Sequence, residues 1–313
     1  MPYNSVTDRT DVAPLIPDQR AREILDATAY ESAALQLFTR TPMSTKVYTQ
    51  PVLSALPLAY WVSGDTGLKQ TTEMAWASKT MTAEELAVIV PIPNSVLADA
   101  DFDLFGAFRP KIAEAIARAL DAAIFLGVNK PASWPTDIVA AADAAGNEVF
   151  RGTNAAAAGG LQGDIDDLMG LVEADGYAPN GIITDLTLKG RLRKLRDTTG
   201  QKLLDVNANT YEGMPIRYTL DGLWPTGLSA AEAVLGDFRQ GIIGIRQDIN
   251  YEIFREGVIQ DNLGAIVYNL LQQDMSAMRV TARFAFQVAN PINYRQPTEA
   301  SRYPFGVLRA PAA

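Results

Sequence analysis

The stretch from Asp103 to Leu126 does most to limit what this chain can become. Phe105, Phe108, Ile112, Ile116, Ala119 and Ala123 recur at steps of three and four residues, and alanine fills much of the remaining surface. That spacing predicts one helix of twenty-four residues, about 36 Å long at about 1.5 Å per residue. Asp101 or Asp103 can cap its start, and Gly127 stands where a left-handed C-cap is wanted. Pro110 inside the pattern predicts a kink, or a helix start moved to that turn. A rod this long serves as a support on which other elements pack.

Before it, residues 1–17 are polar and punctuated by proline, which predicts an extended arm. Asp18 then opens a helical pattern that runs to Arg40, with Ile24, Ala27, Ala34, Leu35 and Phe38 on one face and Thr41-Pro42 as its stop. From Lys46 to Pro93 the period falls to about two. Val52–Leu56 and Ala59–Val62 read as strand, the polar run Ser63–Thr72 as a tip, and Trp76, Ser78 and Thr80 as the return toward Leu86–Val90. One subunit cannot bury much of so long a hairpin. Its Trp61, Met74 and Trp76 either face a neighbouring molecule or pack within the same one.

After the long helix, residues 129–163 look like a loop with two small-residue patches, Ala140–Gly146 and Ala155–Gly160, which suggests mobility or an insertion. Helices are expected at 164–174 and 187–196, and strands at 181–184, 213–219, 234–238, 241–253 and 278–288. Helices and strands mix without regular βαβ alternation, so the fold class is α+β and not a doubly wound sheet.

Composition narrows function more than fold. Among 313 residues there is no cysteine, which removes disulfides, thiolate nucleophiles and Cys-ligated metal sites. There is no histidine either, so Ser–His–Asp catalysis and His-based zinc motifs are impossible. A net charge of −9 argues against a protein that grips nucleic acid over a broad basic surface. The first forty residues hold four basic and six acidic side chains, so they are no basic packaging arm. No run reaches the roughly 18 apolar residues of a membrane span, and the N-terminus has no signal-peptide pattern. The expectation is a soluble chain made in the cytoplasm, without cofactor or metal and without a membrane partner.

Three local clusters carry possible chemistry. Lys189, Arg191, Arg193, Lys194, Arg196 and Lys202 place six basic residues within fourteen. They could meet phosphate, but the helical spacing, with Leu188, Leu192 and Leu195 turned inward, favours a solvated face. Asp164, Asp166 and Asp167 could hold a divalent cation, yet the spacing fits no EF-hand, and acids at a helix start simply complement its dipole. Glu84-Glu85 is a charge pair at a strand start. No phosphate-binding glycine loop occurs.

The order of these elements resembles the Hong Kong 97 fold of tailed-bacteriophage major capsid proteins. The likeness is carried by Ala59–Val62 before a polar loop, Leu86–Pro93 followed by Asn94–Ala100, and Leu120–Gly127, which reads LDAAIFLG. It continues through Gly176–Leu204, with Asn180 before an apolar strand and Leu195-Arg196-Asp197 before Gly200. Leu235–Phe238 with Gly244–Arg246 follows, then Gln273–Met275 and Arg279 before Val280–Val288. No one stretch is as specific as a zinc motif; their order over about residues 20 to 300 makes the case.

The resemblance implies a structural role in a virion capsid and a layout. An N-terminal arm would occupy 1–44, and an extended loop 58–86. Peripheral-domain segments would occupy 45–57, 87–130 (with the spine helix) and 242–313, and an axial domain 131–241. Trp61, Asp65, Leu68, Lys69, Met74 and Trp76 of the extended loop would contact another subunit. Copies of the chain would form hexamers and pentamers of an icosahedral head, with a portal and a separate scaffolding protein as partners. Double-stranded DNA would be enclosed without sequence-specific binding. About 45 residues precede the first strand, too few for the cleaved scaffolding domain of some members. Others weld subunits by a Lys–Asn isopeptide bond promoted by a Glu. Lys69 and Asn269 are the matching pair here, but no Glu lies between Glu256 and Glu299, so a crosslink is not expected. Encapsulin shell proteins share the fold and stay open as an alternative, as does a carboxylate-dependent enzyme built on Asp164, Asp166 and Asp167.

Overall fold

The computed structural model describes residues 32–62, 67–100, 103–155, 159–195, 209–219 and 222–312. In chain order these form α1 (Ala33–Leu37), β1 (Thr39–Pro42), β2 (Val47–Ala55), β3 (Ala75–Thr82), β4 (Glu84–Pro93), α2 (Asn94–Asp99) and α3 (Leu104–Leu126). There follow α4 (Ile138–Ala145), β5 (Glu148–Phe150), α5 (Leu161–Ala174), β6 (Gly181–Asp185), α6 (Leu186–Leu192), β7 (Thr210–Tyr211) and β8 (Met214–Thr219). The remainder are β9 (Ala231–Gly236), β10 (Gly241–Phe254), β11 (Val258–Gln260), β12 (Ile266–Asn269), β13 (Met275–Val288) and β14 (Phe305–Arg309). Their described residues divide into two compact units, one of 84–117 and 246–284, the other of 32–83, 118–245 and 285–312. The unit boundaries fall inside α3, β10 and β13.

In the first unit β10, β13 and β4 lie side by side in that order. β13 and β4 run antiparallel with Met275 opposite Pro93 and Phe284 opposite Glu84. Alternation sets the register: Glu85, Ala87 and Ile89 of β4 are exposed, while Val280 and Ala282 of β13 are wholly buried. Asn94 pins the corner between β4 and α2. Its amide donates to Asp274 O at 2.9 Å, its side chain to Asp274 Oδ1 at 2.6 Å, and its Oδ1 accepts from Ser276 Oγ at 2.6 Å. The β11–β12 hairpin packs Ile259 and Tyr268 onto Leu270, Met275 and Ala277.

The second unit holds a six-stranded sheet in the order β5-β14-β9-β6-β8-β7. Its core joins Ile165, Leu168 and Val172 of α5 and Leu188 and Leu192 of α6 to Ile182, Ile216, Leu235 and Leu308 of the strands. A Cβ on Gly306 of β14 would stand 2.8 Å from Leu168 Cδ1, so glycine lets α5 approach the strand. A second nucleus is aromatic. Phe38 lies 5.5–5.9 Å, centroid to centroid, from Phe125, Phe238, Phe286 and Phe305, and all five rings are buried.

Several expectations from the sequence are corrected. The pattern read as helix to Arg40 ends at Leu37. Residues Thr39–Pro42 are strand, parallel to Ile242–Ile245. A long-range ladder overrides the local period there; residues 18–31 lie outside the described residues. Ala59–Val62 is not strand, because the β2–β3 ladder closes at Ala55 and Ala75, and among the described residues no strand pairs with them. Leu86–Val90 does not belong to that hairpin but to β4, paired with β13. The Ala140–Gly146 patch is no loop: Asp137 caps α4 through the Ala140 amide at 3.1 Å, and Gly146 ends it at φ +85°. The long helix runs Leu104–Leu126, one residue shorter than expected; its start is not moved to Pro110, and Gly127 follows at φ +67°.

Candidate subunit-contact surfaces

The β2–β3 hairpin is antiparallel from Val47 opposite Thr82 to Ala55 opposite Ala75. A two-stranded ribbon has no second layer of its own, so its side chains stay in water unless something else covers them. Trp76 and Met74 are exposed, and beyond the ladder Trp61 is fully exposed and Leu68 is 89% exposed. Leu58, Tyr60 and Val62 add to the patch. The connecting loop is held by its own contacts: Leu58 N donates to Thr72 Oγ1 at 2.9 Å and Tyr60 OH to Gln70 O at 2.7 Å. Lys69 is exposed; Asp65 lies outside the described residues. The structure thus brings Trp61, Leu68, Lys69, Met74 and Trp76 onto one projection of the second unit.

Sequence reasoning missed what fastens that projection. Lys79 Nζ meets Glu299 Oε1 at 2.5 Å, Gln287 Nε2 donates to Thr80 O at 2.8 Å, and Tyr294 OH donates to Pro57 O at 2.8 Å. The hydrogen bond from Lys79 holds the Glu299 carboxyl below the ordinary carboxylate range. These partners stand more than two hundred residues apart, and no local pattern announces them.

The basic cluster divides. Lys189 Nζ donates to Asn209 Oδ1 at 3.1 Å and sits 4.6 Å from the centre of the Tyr218 ring. Arg191 pairs at 2.5 Å with Glu232, which also takes a two-pronged bond from Arg151 at 2.7 and 3.2 Å. Leu188 and Leu192 are buried, as expected. Arg193 and Lys194 follow at the end of α6, and Arg196 and Lys202 lie outside the described residues.

The three aspartates work for the protein. Buried Asp164 accepts from Gly152 N at 2.7 Å and Asn154 N at 2.8 Å, and Asp167 accepts from Asn154 Nδ2 at 2.6 Å. Tyr211 OH donates to Asp166, and burial, reinforced by that carboxylate, pushes the phenol upward. No group of acids fit to hold a metal ion occurs among the described residues. Glu85 at the start of β4 pairs with Arg283 at 2.6 Å. Asn269 ends β12, its side chain bound to Gln272 Oε1 at 2.9 Å.

The arrangement offers exposed contact surface and fixed internal ties. Comparison with known proteins turns that into an identity. The sequence pattern of the phage capsid family matches residues 13–293. The chain belongs to that family. The major capsid protein of Staphylococcus phage 80alpha is 30% identical over 271 residues, which cover 85% of this chain and 79% of that protein. A solved chain from Microbacterium phage Oxtober96 has 33% identity and a TM-score of 0.82 across 98% of this chain and 100% of its own. One from Mycobacterium phage Adephagia has 29% identity and a TM-score of 0.83 across 98% of each. As a member of the phage capsid family the chain is structural and not enzymatic: it is a major capsid protein of a tailed-phage head, located in the virion as a homo-oligomeric shell.

Proposed function

We propose that this chain builds its shell as hexamers and pentamers, with segment 58–86, which holds the tip and the return strand β3 of the β2–β3 hairpin, as an extended loop laid over an adjacent copy. The observation that carries the reading is the hairpin itself. Trp61, Leu68, Met74 and Trp76 stand exposed around its tip among the described residues, and in a closed homo-oligomer another copy can cover them. Residues 1–44 are then the arm that reaches a further copy. Segment 58–86 is the extended loop, and 45–57, 87–130 and 242–313 form the peripheral domain with α3 as its spine. Residues 131–241 form the axial domain around each capsomer axis; most of the six-stranded sheet falls within them, which supports a compact block there. A portal and a separate scaffolding protein are the further partners, and double-stranded DNA is enclosed without sequence-specific contacts.

Purified chain viewed by negative-stain microscopy is expected to yield closed shells or rings of five and six. A stable dimer or trimer, whatever the concentration, would overturn the reading. Lys69 and Asn269 are proposed to stay unlinked, since the stretch from 257 to 298 offers no Glu to promote the bond. Denaturing electrophoresis of assembled particles is therefore expected to show a single monomer band, and a ladder of multimers would refute this.

A further inference from the structure

The end of β13 and the segment that follows it touch the hairpin at four places. Gln287 reaches Thr80 O, Glu299 reaches Lys79, Tyr294 reaches Pro57 O, and Ile292 N donates to Leu53 O at 3.5 Å. Contacts therefore fall on β2, on β3 and on the loop beyond the ladder, which is enough to define a direction and not merely a point of attachment. The segment is itself tied down. Asn293 Nδ2 donates to Asp175 O at 2.8 Å and Arg295 Nε to Ala174 O at 3.0 Å, both at the C-terminal end of α5.

Its shape comes from a buried arginine. Arg302 is 4% exposed, and its guanidinium donates to the carbonyls of Pro291 (3.2 Å), Pro297 (2.7 Å), Gln296 (3.4 Å) and Asn290 (3.2 Å). Asn290 closes the ring by donating from Nδ2 to Arg302 O at 3.2 Å and accepting from Tyr177 OH at 2.7 Å. Burial pushes the Tyr177 phenol up to about 12, so it remains a donor at any working pH. A planar fork that binds four carbonyls of one loop fixes that loop as no single ammonium could.

We propose that residues 287–302 form a cradle that sets the direction in which the β2–β3 hairpin leaves the body, with Arg302 as the positioning residue that keeps the cradle's shape. The inference rests on the reading of the hairpin as the loop laid over a second copy. The three side-chain ties to the hairpin are exposed and each contributes little to folding alone. Their value is geometric: a shell repeats one subunit many times, and a projection that swings would meet its neighbour at a different place each time.

The absence of cysteine makes the test clean. Nitroxide labels on Ser54→Cys and Glu173→Cys, both exposed positions, report the distance between hairpin and α5 in the unassembled full chain by double electron–electron resonance. The unaltered cradle is expected to give one narrow distance. Combining Gln287→Ala, Tyr294→Phe and Glu299→Gln is expected to broaden it about twofold while the thermal melt stays put, and Arg302→Lys is expected to broaden it likewise. Glu299→Gln alone is expected to broaden the distance as well, and exchanging the pair as Lys79→Glu with Glu299→Lys should keep it narrow. A narrow distance in the folded triple variant overturns the proposal; if that variant fails to fold, Tyr294→Phe alone decides by the same two outcomes. Normal shells from a variant with a broadened distance would leave the cradle standing and sink the reading that a second copy needs the hairpin in a set direction.

Discussion

Deleting residues 63–73 is expected to leave a folded, soluble subunit that no longer closes into shells. Val62 then joins Met74, and every pair of the β2–β3 ladder survives because it lies between 47–55 and 75–82. The connection shrinks from the nineteen residues 56–74 to eight, a length that still spans the end of a two-stranded ribbon and costs less loop entropy. Within the subunit the deletion removes the bonds from Leu58 N to Thr72 and from Tyr60 OH to Gln70. Both are exposed, and each contributes about 0.5–1.5 kcal/mol, so the core is untouched. Between subunits the loss is of another kind. Leu68, the most exposed aliphatic side chain of the projection, goes, and Trp61 and Met74 change place. A modest deficit at one interface recurs at every copy of a closed shell. Circular dichroism and sizing should show the subunit intact while microscopy shows no shells; normal shells would sink the extended-loop reading.

What the sequence revealed follows from where each signal resides. α3 was legible because its apolar positions recur at helical steps over twenty-three residues and Gly127 closes it. The strands β6, β8, β10 and β13 were legible as apolar runs between turns. Ala33–Leu37 are helix as expected, but residues 38–42 were not legible. Ala34, Leu35 and Phe38 keep a helical step, yet the Phe38 ring is claimed by four distant aromatics and Thr39–Pro42 by β10. Long-range pairing of that kind leaves no mark in a local window. α4 failed for the opposite reason: its caps, Asp137 and Gly146, were present in the sequence, but its alanine-rich interior suggested a loop. β14, five residues near the C-terminus, was missed although it lies between β5 and β9, because a short apolar run carries no period of its own.

The contact surface shows the same division. Trp61, Leu68, Met74 and Trp76 could be picked out as apolar residues around a polar tip. Tyr294 and Glu299 could not, since their partners Pro57 and Lys79 lie far away in sequence, and Arg302 could not, since the folded loop turns its carbonyls toward the guanidinium without any sequence motif. The acidic and basic clusters invited chemistry because like charges stood close along the chain. The structure gives Asp164, Asp166, Lys189 and Arg191 each a protein partner instead.

Asp121→Ala is expected to lower the stability of the unassembled subunit by about 3–5 kcal/mol. The carboxylate is wholly buried on α3, and it accepts from Ser32 Oγ at 2.6 Å, Ala33 N at 2.8 Å and Ala34 N at 3.2 Å. Ser32 in turn caps α1 by accepting from Leu35 N at 3.1 Å. Alanine would leave three buried donors facing nothing, at about 1–3 kcal/mol each. The full sum is not reached, because the start of α1 can lift away and let water back in. Lifting has its own limit, since it would draw Phe38 from among four other rings, where truncating such a ring costs about 3–5 kcal/mol. Both routes therefore end within the same range, a large part of the about 5–15 kcal/mol that holds a domain folded. Asp121→Asn keeps the volume and one acceptor oxygen but turns an amide donor toward other donors, so it should fall between the two. Denaturant unfolding followed by tryptophan fluorescence measures the order, and a loss under about 1 kcal/mol for the alanine variant would contradict it. Hydrogen exchange then separates the routes. If α1 lifts alone, the amides of residues 33–38 exchange faster than those of the central strands β6 and β9.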